Sequence, residues 1–358
     1  MKMVRWLSWV LGLTSASCAL LAGCNQVLGI GDPQLDTTVT GGAGGTGGVG
    51  GVTTTGGGGS GGELPPLCHP DAPICNQVES DCLALEDNSE KDVYGLRIQS
   101  LDIWKPDAFA TDPEYTAVMQ SLTMNLPECY LQGGGTINWI LELDTTTDTA
   151  KFGASKPIED LSDGYTFVDE IVEFEPGIQF NVAPAFLSAT VDDQGTIAAS
   201  VAESIVMPIY LDQAATMFIL LPIRKARIYD ATISADRNCI GTHNAEGLIL
   251  QDGCLPDFTN GPKAFLHDAK FDGYILLEEA DDVIVEIFGL NRSLCVILAQ
   301  DSAEYSDMGD PEHCNLLDGK IKFPGDWCST TNSGATPSCH DAVYLGSALA
   351  ASGVKINP

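Results

Sequence analysis

The stretch Thr136-Ile137-Asn138-Trp139-Ile140-Leu141-Glu142-Leu143 runs into Asp144-Thr145-Thr146-Thr147-Asp148-Thr149 and out through Ala150-Lys151-Phe152. β-branched and aromatic residues fill both flanks, and a cluster of Asp and Thr separates them. That is the pattern of a strand, a turn and a returning strand. The same style repeats outward in both directions. Upstream, Leu96 to Trp104 alternates in part. Downstream come Val168 to Phe174, Ile178 to Val182, Phe186 to Val191 and Thr196 to Pro208, with Asp192-Asp193-Gln194-Gly195 as a hairpin turn between the last two. Met217 to Ile223 is a continuous apolar run, suited to a strand buried on both faces, and Arg227 to Ser234 alternates again. Ala342 to Leu345 and Gly353 to Ile356 are two short segments that could close the sheet. Helix is the minority. Pro113 to Met124 is one candidate and Leu277 to Phe288 another, although Val283, Val285 and Ile287 in the latter alternate as a strand would.

So many short strands, about ten residues apart, predict a mostly β head that is sandwich- or barrel-like, with one or two short helices and disulfides. The expected unit is either one body of two packed sheets or two β lobes that share a core. No internal period recurs, which argues against a solenoid or propeller.

The head spans residues 67–358, and what precedes it reads differently. Lys2 and Arg5 form a positive n-region, and Trp6 to Gly23 carries no charge. Leu21-Ala22-Gly23-Cys24 resembles the lipobox of bacterial lipoproteins. The resemblance implies that residues 1–23 are a signal peptide and that Cys24 carries the acyl chains which hold the protein to a membrane. Two or more such chains make anchoring stable. Asn25, where an Asp would be an inner-membrane retention signal, favours the outer membrane over the inner within the cell envelope. Residues 24–66 read as a flexible tether. Positions 41–62 hold 14 glycines in 22 residues, too little apolar surface to offset the backbone entropy lost on ordering. As a coil of about 40 residues the tether would span roughly 35 Å. It also satisfies two catalytic patterns, G-x-G-x-x-G at Gly42 to Gly47 and G-x-S-x-G at Gly58 to Gly62, without the strand and helix that either needs.

The chain has 358 residues, with 49 Asp+Glu against 17 Lys+Arg and a formal net charge of −32. That balance excludes a nucleic-acid partner bound through phosphates. The excess is concentrated: from Pro157 to Ile223 there is no Lys or Arg. Such a surface resists association, or binds cations. Asp301, Glu304, Asp307 and Asp310 share one loop with Gly309 and are the candidate Ca²⁺ ligands, though their spacing is not that of an EF-hand. No other cofactor is expected.

Cys18 leaves with the signal and Cys24 takes lipid, so ten cysteines remain, an even number suited to disulfides in an oxidising compartment. Short, turn-rich loops favour the pairs Cys239–Cys254 and Cys328–Cys339. Zinc is the alternative at Cys68, His69, Cys75 and Cys82, or at Cys339-His340-Asp341, but the close cysteine pairs of a structural zinc site are absent. His267-Asp268 and His340-Asp341 are acid/base fragments, yet neighbours on a strand point to opposite faces. No catalytic residue is assigned. Trp327 reads as a packed anchor beside a disulfide or as a sugar-stacking platform. The later half of the head, at Asn238 to Gly241, Phe323 to Thr331 and Ala350 to Ile356, resembles secreted lipoproteins of large-genome soil bacteria, a resemblance that implies location and no activity. The reading is a lipid-anchored envelope protein with a binding or structural role. The alternatives are a secreted hydrolase and a lipid carrier with an apolar cavity.

Overall fold

The computed structural model describes residues 83–111, 125–126, 129–249, 255–256, 264–287 and 290–358. Ten strand segments form the continuous path of a 13-stranded main sheet: β1 Val93–Lys105, β2 Trp139–Asp144, β3 Thr149–Ala154, β4 Ala185–Val191, β5 Thr196–Ala199, β6 Ala202–Tyr210, β7 Phe218–Tyr229, β8 Ala231–Thr232, β9 Ala269–Leu276 and β10 Ala342–Val354. Every pairing among them is antiparallel. The α-helices among the described residues are short: α1 Asp107–Ala110, α2 Leu277–Asp281 and α3 Leu294–Leu298.

The register shows how the sheet closes. Ala202 on β6 lies opposite Ala226 on β7, and beyond a break the same register continues with Ile197 on β5 opposite Ala231 on β8. β5–β6 and β7–β8 are therefore the two arms of one long hairpin. One arm pairs with β4 through Ala189↔Ala199, the other with β9 through Arg227↔Asp272. From β9 the ladder runs to β10, β1, β2, β3 and back to β4. The result is an eight-arm up-and-down barrel, an architecture that closes most of its sheet edges. Of the two expected shapes, the barrel is the one adopted.

Alternation puts apolar side chains inside. On β4, Leu187 and Ala189 are buried while Phe186, Ser188 and Thr190 are exposed. Trp139, Phe152 and Phe271 fill the middle, the first two rings each 5.7 Å from the third. The void beside them, bounded by Leu101, Ile137 and Leu345, measures about 10 Å³, at most the room of one water. A second apolar layer lies outside the barrel wall, where Ile140, Leu161, Tyr165 and Val354 pack together. Arg97 is buried in this outer layer, its guanidinium 5.7 Å from the centre of the Tyr165 ring. Its Nε donates to Asn138 Oδ1 at 2.7 Å and its Nη1 to Gln99 Oε1 at 2.7 Å.

Three sequence expectations change. Ala342–Leu345 and Gly353–Ile356 belong to one neighbourhood but not to two strands, because the Gly/Ala/Ser run between them continues β10. The run is small for a steric reason. A Cβ on Gly346 would come within 2.6 Å of Trp104 Nε1, and one on Gly353 within 2.7 Å of the Glu86 carbonyl. The segment Leu277 to Phe288 is not one helix. α2 ends after five residues, and Ile284–Ile287 then pairs with Leu290–Ser293. The alternation of Val283, Val285 and Ile287 wins over helical periodicity there. The run expected at 217–223 leaves Met217 exposed, begins at Phe218 and continues to Tyr229 as a single 12-residue strand. The helix expected at Pro113 to Met124 lies outside the described residues.

Candidate functional site

A cleft of about 510 Å³ opens at the end of β9 and β10, within the size range of small-molecule sites. Three pieces of chain wall it. β9 runs into α2, and this stretch contributes Leu276, Leu277 and Glu278. The exposed hairpin Leu316–Leu317/Lys320–Ile321 contributes Lys320 and Ile321. The loop before β10 contributes Thr330, Thr331, Thr336, Ser338, His340 and Asp341.

The loop is held in three ways. Cys328 and Cys339 are joined, with Cα atoms 5.1 Å apart, as the sequence predicts. Trp327 stacks on Tyr344 at 4.6 Å between ring centroids and donates from Nε1 to Asn332 Oδ1. This is the anchor reading of Trp327, one face spent on Tyr344. Finally, Asp341 accepts from both the amide and the hydroxyl of Ser329, at 2.8 and 2.6 Å. Partial burial pushes the Asp341 carboxyl up, but the Ser329 hydroxyl and amide outweigh it and hold the group below the usual carboxylate range. His340 and Asp341 both line the cleft, contrary to the opposite-face expectation, yet the carboxylate orients the loop rather than the imidazole. The site therefore presents hydroxyls, one imidazole, the carboxylates of Glu278 and Asp341 and the ammonium of Lys320: groups for binding a polar molecule.

The other fragment behaves differently. His267 Nε2 lies 3.0 Å from Ser100 Oγ, a contact between residues 167 apart in sequence. A hydroxyl and an imidazole at this distance share a hydrogen bond, a pairing that a catalytic triad also contains. Asp268, next in the chain, has its carboxyl pushed up by burial.

The four acidic residues chosen for Ca²⁺ are sent to different partners. Asp301 pairs with Arg292, Glu304 with Lys322 Nζ at 3.6 Å, and Asp310 accepts from Asn291 Nδ2 at 2.8 Å. Asp307 Oδ1 accepts from the Gly309 and His313 amides, which hold its carboxyl low. Local turns and nearby cations claim these carboxylates before they can converge. Among the described residues, metal-ligand atoms come together at Asp281/Cys295/Cys314 and Cys328/Cys339/Asp341. Both sets are built on disulfides, whose sulfurs are already bonded. Cys339-His340-Asp341 is thus no zinc site in this oxidised form, and Cys68, His69, Cys75 and Cys82 lie outside the described residues, as does Cys24. Cys239 is disulfide-bonded; Cys254 lies outside the described residues.

Two clusters carry no sequence signal. Cys295–Cys314 closes a loop beside the end of α2, where Asp281 accepts from Ser293 Oγ and the Cys314 amide, with His313 Nδ1 at 3.4 Å. On the outer wall, Asp272 takes both Nε and Nη2 of Arg227 at 2.6 and 2.8 Å and the Tyr344 hydroxyl at 3.0 Å. Burial, and then Asp272, push that phenol up. Partners 45 and 72 residues apart leave no local pattern. No family model matches this chain, and neither a curated protein nor a solved structure matches it.

Proposed function

We propose that this protein is a lipid-anchored binding module of the bacterial cell envelope. Acyl chains on Cys24 hold it to the membrane, the outer one in preference to the inner. Residues 24–66 let the head stand off. The head presents the hydroxyl-lined cleft between the Cys328–Cys339 loop and α2 to a polar ligand.

The observation that carries this reading is where space is left in the head. Among the described residues, the void beside Trp139 and Phe271 in the barrel interior measures about 10 Å³, against about 510 Å³ in the surface cleft. A carrier needs the reverse, an interior roomy enough for an acyl chain. The stapled loop supports binding as well, since a rigid wall loses less entropy when a ligand arrives.

Intact mass of the mature chain before and after reduction tests the anchor. The expected result is an N-terminal mass beginning at Cys24 plus diacylglycerol and a fatty acyl group, with Cys24→Ser released from membranes on fractionation. A full-length, unacylated chain in the soluble fraction overturns the reading. The Ser100–His267 contact favours one second reading, a serine hydrolase. Covalent labelling of Ser100 by a fluorophosphonate, lost in His267→Ala, would put that reading first.

A further inference from the structure

The barrel is not sealed along its whole length. β5 pairs with β4, and the last backbone bond on that seam runs from the Ser200 amide to the Ser188 carbonyl at 2.8 Å. Beyond it, β6 keeps its ladder to β7 and gains none on its other side among the described residues.

Which backbone groups face that open side follows from the ladder. The Leu211 amide donates to the Met217 carbonyl at 2.9 Å. In an antiparallel pair the bonded positions alternate, so Ile209, Met207, Ile205 and Glu203 point their N–H and C=O at β7, and the even-numbered residues point theirs away. Two independent facts agree. Pro208 and Pro222, which have no N–H, both occupy even positions opposite Leu220 and Val206. The Pro208 carbonyl is taken from the open side by Trp139 Nε1 at 3.2 Å. Ser204 and Val206 therefore aim an amide and a carbonyl each into the seam.

Those two residues line a second cleft, about 570 Å³, whose other walls include Ile178 and Phe180 of the hairpin Glu170–Glu175/Ile178–Val182, and Glu279 and Asp282 beyond β7. Two carboxylates, Glu279 and Asp282, line it against one cation, and the segment from Pro157 to Ile223, which supplies the hairpin and β6, has eleven Asp/Glu and no Lys or Arg in its sequence. Arg224, the cation in the cleft, is engaged by Glu279.

We propose that this cleft takes an extended, positively charged peptide segment of a partner protein by strand addition along Ser204–Val206. An open strand edge supplies main-chain hydrogen bonds without regard to sequence, and pockets beside it select alternate side chains. The acidic surroundings select Lys/Arg among them and speed encounter. The proposal does not depend on the hydroxyl-lined cleft.

The test uses the full chain in detergent and two labelled ten-residue peptides, one alternating Lys and Val, the other Glu and Val, followed by fluorescence anisotropy. The Lys/Val peptide is expected to bind, more weakly as salt rises, and the Glu/Val peptide not to bind. Val206→Pro removes a donor that β7 does not use, and is expected to weaken binding at least about tenfold. Amide exchange at Ser204 and Val206 in the unaltered chain should slow on adding the Lys/Val peptide, a readout that stands even if Val206→Pro misfolds. Absence of binding, equal binding of both peptides, full-strength binding to folded Val206→Pro, or unchanged exchange at those amides overturns the proposal.

Discussion

Trp139 does two jobs at once: its ring fills the barrel centre against Phe271, and its Nε1 satisfies the Pro208 carbonyl on the open seam. Trp139→Ala should cost about 3–5 kcal/mol, the usual range for emptying an aromatic core position, read as a lowered urea midpoint at unchanged slope. His243 gives a pH signature. Its ring packs edge-on to Phe265 at 5.6 Å, its Nε2 is buried without a partner, and burial pulls its pKa below 6.5. The unfolded chain then binds the proton more readily, so stability should fall as pH drops from about 6.5 towards the folded pKa and level off below it. His243→Phe should flatten that slope in thermal melts between pH 5 and 7. Asp144 acts in a lower window. The Thr146 and Thr147 hydroxyls and amides hold its carboxyl at about 2, against 3.8 in the unfolded chain. Its contribution is complete above 3.8 and is lost as pH falls through about 2. A carboxyl titration by NMR should find the low midpoint, and Thr146→Ala should raise it.

Elements hold their places through staples and steric fit more than through intrinsic propensity. The Cys328–Cys339 loop is short, so the chain-entropy model gives its closure a little under about 3 kcal/mol. Replacing both cysteines by serine should cost about 2–3 kcal/mol in denaturant melts and loosen the wall of the hydroxyl-lined cleft, leaving the barrel ladder intact by circular dichroism. This pairing was legible because both partners lie in one turn-rich loop. Cys295–Cys314 was not, since its partners sit on α3 and on a strandless return. β10 shows the same limit from the other side. Read alone, its Gly/Ala/Ser run looks like a break between strands. Inside the barrel it is the one sequence thin enough to pass beneath Trp104 and the Glu86 carbonyl.

At the scale of the molecule, charge outweighs any single contact. A net −32 makes the folded chain repel itself. Raising ionic strength from about 0.01 M to 0.15 M shortens the Debye length from about 30 to 8 Å and should raise the melting temperature by about 2 °C or more. A flat or falling Tm would mean that self-repulsion contributes little to the stability of the folded chain.

The sequence alone determined the properties that depend on local pattern: a mostly β head, the positions of most strands between Leu96 and Tyr229 though not of β9, and the pair Cys328–Cys339. Alternation and turn chemistry act over a few residues, so they are written in the chain. Barrel closure, the Ser100–His267 contact, the dispersal of Asp301, Glu304, Asp307 and Asp310, and the open seam at Ser204–Val206 were decided by the tertiary structure. Each joins groups distant in sequence or turns on competition among neighbours. Which partner wins is settled by the register of a closed sheet, and no window along the chain records that.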